Sequence, residues 1–469
     1  MAENAYQELN DWMKETSLLA SCGGVLGWDE RTYMPRGGSA HRGDQLSLLA
    51  GMVHERTTDS RVGDMLAQAE GELGADPLAP EAVNVKHWRR WYDRSTKLSK
   101  ALVEEIARVT TIGQQVWGDA RENNDYAGFK PTLADIVRLK REEASALSDG
   151  GGLYDALLDD YEPGETSENL KQVFKSLRDE LIPLVEAIQG ATRQPDSGIM
   201  LRDFPVDRQE SFGKLAAAAV GFDFNAGRLD ETTHPFCSGM GPGDTRITTR
   251  YDLNEFNQSF FGILHEAGHG LYEQGLNDAH WGTPMGEAVS LGIHESQSRM
   301  WENFVGRSPA FWRHFFPKAK ELFPEVLSDV TEDAFVFAVN AVKPSTIRVE
   351  ADEVTYNLHI LLRFEMEMAL IEDELCVDDV PGLWNEKFEH FFGYPIEKDT
   401  DGCLQDIHWS GGGIGYFPTY TLGNLYGAQF FDTAREEVGD LDAQFAAGEF
   451  EPLKNWLTEK VYLQGMRYL

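Results

Sequence analysis

Basic residues are scarce in this chain: 42 Lys and Arg stand against 78 Asp and Glu in 469 residues, a net charge of −36. Such a surface repels phosphate backbones and anionic lipid, which excludes nucleic acid and membranes as expected partners. The acid is scattered in short clusters such as Asp159-Asp160 and Glu436-Glu437, with no single acidic tail. An ordinary acidic cytosolic enzyme would account for it, and so would a halophilic protein. We carry the halophilic reading forward, because a Debye length of ~3 Å at 1 M salt would screen the self-repulsion. Cysteine is rare too. Cys22, Cys237, Cys376 and Cys403 lie far apart with no C-x-x-C spacing, so reduced thiols are expected and a disulfide scaffold is not. No stretch of about 18 apolar residues is available to cross a bilayer. The opening Met1-Ala2-Glu3-Asn4-Ala5-Tyr6 has neither a basic nor an apolar signal region, so the expectation is a soluble cytoplasmic protein.

What is present is helical periodicity. Hydrophobic residues make up 42% of the chain and aromatic residues 11%, a globular composition. Apolar residues recur at i, i+3 and i+4 near 4–22, 41–55, 60–73, 79–93, 97–122, 130–148, 166–192 and 207–220. They recur again near 254–276, 286–305, 309–322, 331–341, 355–375, 381–392, 421–438 and 450–466. Residues 226–252 are the exception. There Thr232, Thr233, Phe236, Ile247, Thr248, Thr249 and Tyr251 surround Gly239, Gly241, Pro242 and Gly243, which predicts two short strands joined by a Gly-rich turn. Internal repeats and low-complexity linkers are absent. The expected fold is mainly α, a single large domain with a small β-sheet beside the helix near 254–276.

That helix carries His265-Glu266-Ala267-Gly268-His269. Residues i and i+4 share a helix face, so both imidazoles can reach one Zn²⁺ at about 2.0–2.1 Å. Glu266 points beside the ion, where it can accept a proton from a water that the ion acidifies. The spacing therefore reads as a zinc hydrolase, most simply a peptidase. Gly268 and Gly270 each cost about 1 kcal/mol relative to Ala in a helix, which suggests that another backbone approaches closely there.

Two histidines leave a catalytic zinc site one protein ligand short. A metzincin would carry Gly at 272 and His at 275, whereas this chain has Tyr272 and Gly275. A carboxylate on a following helix is the remaining choice. Glu295, 26 residues after His269, suits the role, with Glu287 and His294 as rivals on the same stretch. A surface glutamate paired with Arg299 at i+4 is the bland alternative for Glu295.

Five further segments carry a family resemblance. They are Trp28-Asp29-Glu30-Arg31-Thr32-Tyr33-Met34-Pro35, Asp244-Thr245-Arg246-Ile247-Thr248, His294-Glu295-Ser296, Ile347-Arg348-Val349-Glu350-Ala351-Asp352, and Gly402-Cys403-Leu404-Gln405-Asp406-Ile407-His408-Trp409 followed by Gly415 to Tyr420. Together they resemble the thermostable carboxypeptidase 1, or carboxypeptidase Taq, family of zinc metallocarboxypeptidases. The resemblance implies a helical zincin-like domain over 1–469 with a deep, closed-ended groove. In it, 1–225 would form one groove wall and 226–469 would carry the motifs. It also implies stepwise removal of C-terminal residues with broad specificity, Zn²⁺ with Co²⁺ as a substitute, and a homodimer. His265, His269 and Glu295 become the implied ligands, and Glu266 the general base and acid.

Peptide hydrolysis develops an oxyanion, and His408 and Tyr420 are the candidate donors to it. For His408 the alternative is structural, with Gln405 or Asp406 orienting a ligand imidazole. An exopeptidase must also recognise a free carboxylate, which a guanidinium binds through two parallel bonds. Arg348 and Arg246 are the candidates. Each could instead be tied up locally, Arg246 with Asp244, and Arg348 with Glu350 or Asp352. Peptide substrates are the expected partners. An oligopeptidase or dipeptidase on a similar scaffold, and a non-catalytic peptide-binding protein, are the competing functions.

Overall fold

The computed structural model describes residues 5–469, and residues 1–4, where the first predicted helix and the N-terminal reading begin, lie outside the described residues. The chain is mainly helical, with one three-stranded sheet. Its contacts gather into two compact units. The first comprises residues up to Ser95, Pro195–Val339 and Gly423–Leu469; the second comprises Thr96–Gln194 and Asn340–Leu422. Each unit draws on both sides of residue 225.

The helix Phe256–Gly275 is anchored in the first unit by aromatic packing. Phe256 and Phe260 stack on each other with ring centroids 5.2 Å apart, and Phe260 meets Phe212 at 5.1 Å and Trp312 at 5.2 Å. Phe256, Phe260, Phe261, Ile263 and Leu264 are all buried. At about 1.5–3 kcal/mol for each large side chain buried, this face outweighs the cost of Gly268 and Gly270. Those two glycines are there for space. A Cβ on Gly268 would stand 2.5 Å from the carbonyl oxygen of Gln297, and one on Gly270 would stand 2.5 Å from the Phe222 ring. The close approach expected from the sequence is thus made by the helix Leu291–Arg299. Ser290 starts that helix by accepting a hydrogen bond from the Ile293 N–H. It then widens into a π turn over Met300–Val305, an irregularity often found at functional sites.

The sheet differs from the two-strand expectation. β1 (Gly227–Glu231), β2 (Cys237–Gly241) and β3 (Asp244–Thr249) lie in the order β1-β3-β2. β2 and β3 pair antiparallel, but β2 takes in Gly239 and Gly241, expected in the turn, and β1 adds in parallel to β3 with Arg228 opposite Arg246. Gly-Arg-Leu-Asp-Glu holds a single large apolar side chain, so no alternation marked it as a strand. Trp28 lies near the end of the long helix Ala5–Thr32, with the guanidinium of Arg246 4.4 Å from its ring centre.

In the second unit, the helix Tyr356–Ile371 is buried along most of its length. Phe364 packs edge-on against Tyr154 and Phe174, at 5.6 and 5.2 Å. Two charged side chains of this helix, Arg363 and Glu367, are fully buried.

Candidate metal centre

The ligand atoms of His265, His269 and Glu295 all lie within 4.8 Å of one another. Glu295 Oε2 is 3.8 Å from His265 Nε2 and 3.5 Å from His269 Nε2. Around a tetrahedral ion with bonds of about 2.0–2.2 Å, neighbouring ligand atoms stand roughly 3.3–3.5 Å apart. The two imidazole nitrogens and the carboxylate oxygen therefore fit one small divalent cation.

Hydrogen bonding sets the imidazoles to offer Nε2. Glu302 Oε2 lies 2.9 Å from His265 Nδ1; a carboxylate only accepts, so Nδ1 carries the proton and Nε2 keeps its lone pair. A longer chain does the same for His269. His294 Nε2–H donates to Glu273 Oε1 at 2.8 Å, which leaves His294 Nδ1 as the acceptor for His269 Nδ1–H at 2.6 Å. The wide π turn is the segment that carries Glu302 to His265.

Glu295 pairs with Arg299, Glu302 with Arg299 and Arg307, and Glu273 with His294. Arg299 Nε donates to Glu295 Oε1 at 2.7 Å. Burial works against an ionised Glu295, but Arg299 and the two imidazoles hold its carboxyl well below the usual range. Burial likewise opposes ionisation of Glu302, yet Arg299 and His265 bring it down to about 2. His265 is disfavoured as a cation by burial, but Glu295 and Glu302 raise it above the ordinary imidazole value. His269 is pushed down to about 4 by burial, with His294 and His265 adding to it, against the raising effect of Glu295 3.5 Å away. Glu266 is lifted by burial to about 7. A divalent cation at the Nε2 atoms would add to Arg299 as a counter-charge for the buried Glu295 carboxylate.

Glu287 and His294, the rivals of Glu295, do not join the trio. His294 stands behind His269, and Glu287 is raised to about 7 by burial and the nearby charge of Glu273. Spacing on the motif helix could have revealed Glu273, four residues after His269. No local signal marks Glu302, because its role depends on the π turn. Space for Glu295 is kept by Gly423, where a Cβ would stand 2.6 Å from both Cβ and Cγ of the glutamate. Gly423→Ala is expected to push Glu295 aside and weaken metal binding by about 10–100-fold, measured by chelator competition.

Each of the remaining predicted residues has defined partners. Arg246 is bound by Asp244 through two hydrogen bonds of 2.8 and 2.7 Å, the local pairing named as its alternative. Arg348, in the second unit, is buried and does not pair with Glu350 or Asp352. Its Nε donates to Asp406 Oδ1 at 2.9 Å and its Nη1 to the Tyr356 hydroxyl at 3.0 Å. Asp352 instead receives the backbone N–H groups of Val354 and Thr355. Asp406 shares its other oxygen with Arg363 at 2.6 Å, so it is engaged by guanidiniums and not by a ligand imidazole. Gln405 accepts from the Arg348 N–H. His408 Nε2 lies 3.3 Å from the Tyr420 hydroxyl, and burial together with Arg348 pushes this imidazole down to about 4, leaving it neutral.

A helical scaffold that brings two histidines of an H-E-x-x-H helix and a later glutamate to one point defines a metallohydrolase. The profile of the carboxypeptidase Taq (M32) metallopeptidases matches residues 8–469. The chain is 49% identical to thermostable carboxypeptidase 1 of Thermus thermophilus, over 99% of this chain and 93% of that protein. It is 38% identical to carboxypeptidase 1 of Bacillus subtilis, over 98% and 92%. Its fold superposes on the M32 carboxypeptidase of Deinococcus radiodurans with a TM-score of 0.96 and 39% identity, covering 99% of this chain and 93% of that one. This chain belongs to the carboxypeptidase Taq (M32) family of metallopeptidases, and is a peptidase of the metallocarboxypeptidase class.

Proposed function

We propose that this enzyme is a zinc-dependent carboxypeptidase of broad specificity, with His265, His269 and Glu295 as ligands and Glu266 as general base. The observation that carries the reading is the convergence of those three donors beside a buried glutamate. Two imidazole nitrogens and one carboxylate suit Zn²⁺, and Co²⁺ as a substitute, better than the all-oxygen preference of Mg²⁺. An ion of this kind acidifies a water and polarises a peptide carbonyl. Glu266, raised to about 7 by burial, is suited to taking a proton and returning it to the leaving amine near neutral pH. His408, neutral at that pH, and Tyr420 are the proposed donors to the developing oxyanion. Arg348 and Arg246 are the proposed receptors for the substrate's terminal carboxylate. One feature supporting Arg348 is that Asp406 is divided between two guanidiniums, which leaves that cluster net positive.

Analysis of end products tests the proposal. Incubation with an unblocked peptide is expected to release single residues in order from the C-terminus, and a C-terminally amidated copy is expected to survive. Internal cuts or released dipeptides would favour the oligopeptidase or dipeptidase alternative. Equal cleavage of the amidated peptide would remove both arginines from the carboxylate role. Cytoplasmic location, homodimeric assembly and a salt-adapted surface complete the proposal. The last rests on the net charge of −36.

A further inference from the structure

His408 sits in a stretch of irregular backbone, yet the chain on either side of it is held from one buried helix. Arg363 and Glu367 are four residues apart on the helix Tyr356–Ile371 and share its face. Both are fully buried. Arg363 donates from Nε to Asp406 Oδ2 at 2.6 Å, two residues before His408. The Glu367 carboxylate takes the residues that follow. Its Oε1 accepts the Trp409 indole N–H at 2.9 Å, and its Oε2 accepts the Gly415 N–H at 3.0 Å and the Tyr154 hydroxyl at 2.8 Å. Between these anchors the His408 carbonyl accepts from the N–H groups of Gly411 and Gly413, and the imidazole rests 4.4 Å from the Phe417 ring centre.

Burying charged groups is a poor route to stability, since apolar side chains of similar volume do as well or better. What buried hydrogen-bonded charges supply is a unique geometry. We propose that Arg363 and Glu367 form a clamp that positions the imidazole of His408, with neither residue touching substrate. This inference rests on the reading of His408 as a donor in catalysis.

Glu367→Gln is the informative substitution. Three donors converge on this side chain, and the amide replaces one acceptor oxygen by an NH₂ group that must oppose the Trp409 or Gly415 N–H. A displaced His408 is expected to lower kcat about 10–100-fold, with KM within about twofold and metal content unchanged. The decisive comparison is made in a His408→Ala background. If Glu367 works through His408, E367Q/H408A should turn over at the rate of H408A alone, because effects acting through one group do not add. An equal further loss from E367Q in that background would overturn the clamp and leave Glu367 a general support of the fold. Should E367Q not fold, Trp409→Phe removes one of the three hydrogen bonds and is expected to show a several-fold loss with the same non-additivity. Full kcat in H408A would instead defeat the catalytic reading of His408. The clamp would then stand or fall on whether E367Q shifts the ¹⁵N signals of that imidazole.

Discussion

Replacing Glu266 by Gln is expected to lower kcat by about 10³–10⁴-fold while the protein retains its metal. The amide keeps the shape of the side chain but can neither take a proton nor return it to the leaving amine. Burial already raises Glu266 to about 7, so the neutral amide imposes little new desolvation, and the apoprotein should remain folded. Its effect on KM should be small, since the base acts in the transition state. Metal content by elemental analysis and kcat on one peptide check both halves. A variant that keeps its metal and more than a tenth of the activity would remove Glu266 from proton transfer. A variant that loses its metal would make Glu266 part of the binding set.

Replacing Glu295 by Ala is expected to abolish activity by a different route, through the loss of metal. The change removes one of three donors, so affinity should fall by more than the 10–100-fold typical of a supporting residue. Arg299 loses its 2.7 Å partner but keeps Glu302 at 3.2 Å, so the cost should lie below the about 3–5 kcal/mol of leaving a buried charge wholly unpaired. The apoprotein should therefore also unfold at lower temperature, which thermal melts in the presence of chelator would show. The pH dependence has a definite sign. Glu295 and Glu302 are held below the ordinary carboxylate range, by Arg299 in each case against the opposing effect of burial. The stability they contribute is complete above about pH 5 and is lost as pH falls toward 2. The variant should therefore lose less stability on acidification than the parent. Equal acid sensitivity in both proteins would mean that this ion pair is not a main support of the fold.

The structure corrects the sequence-based picture at points where contacts are long-range. Arg348 finds Asp406, 58 residues away, and leaves the acidic residues beside it free for other roles, because its 3₁₀ turn (Arg348–Glu350) is not the continuous helix on which nearby charges would meet. The strand β1 escaped notice because parallel pairing with β3 does not require alternating apolar residues in so short a segment. By contrast, the aromatic residues Trp301, Trp312, Phe315 and Phe316 are core, with the partly buried Phe304 packed against it.

The residues of the chain by themselves determined the helical class, the helix that carries the metal motif, the positions of His265, Glu266 and His269 on it, and the space-making glycines. These follow from the helical repeat, which fixes neighbours within one or two turns whatever the rest of the chain does. Only the tertiary structure decided that Glu295 and not Glu287 or His294 completes the trio, that Glu302 and the His294–Glu273 pair orient the two imidazoles, and that Arg363 and Glu367 grip the backbone around His408. Those contacts join segments far apart in the chain, and burial, hydrogen-bond geometry and charge balance select them only once the core has packed.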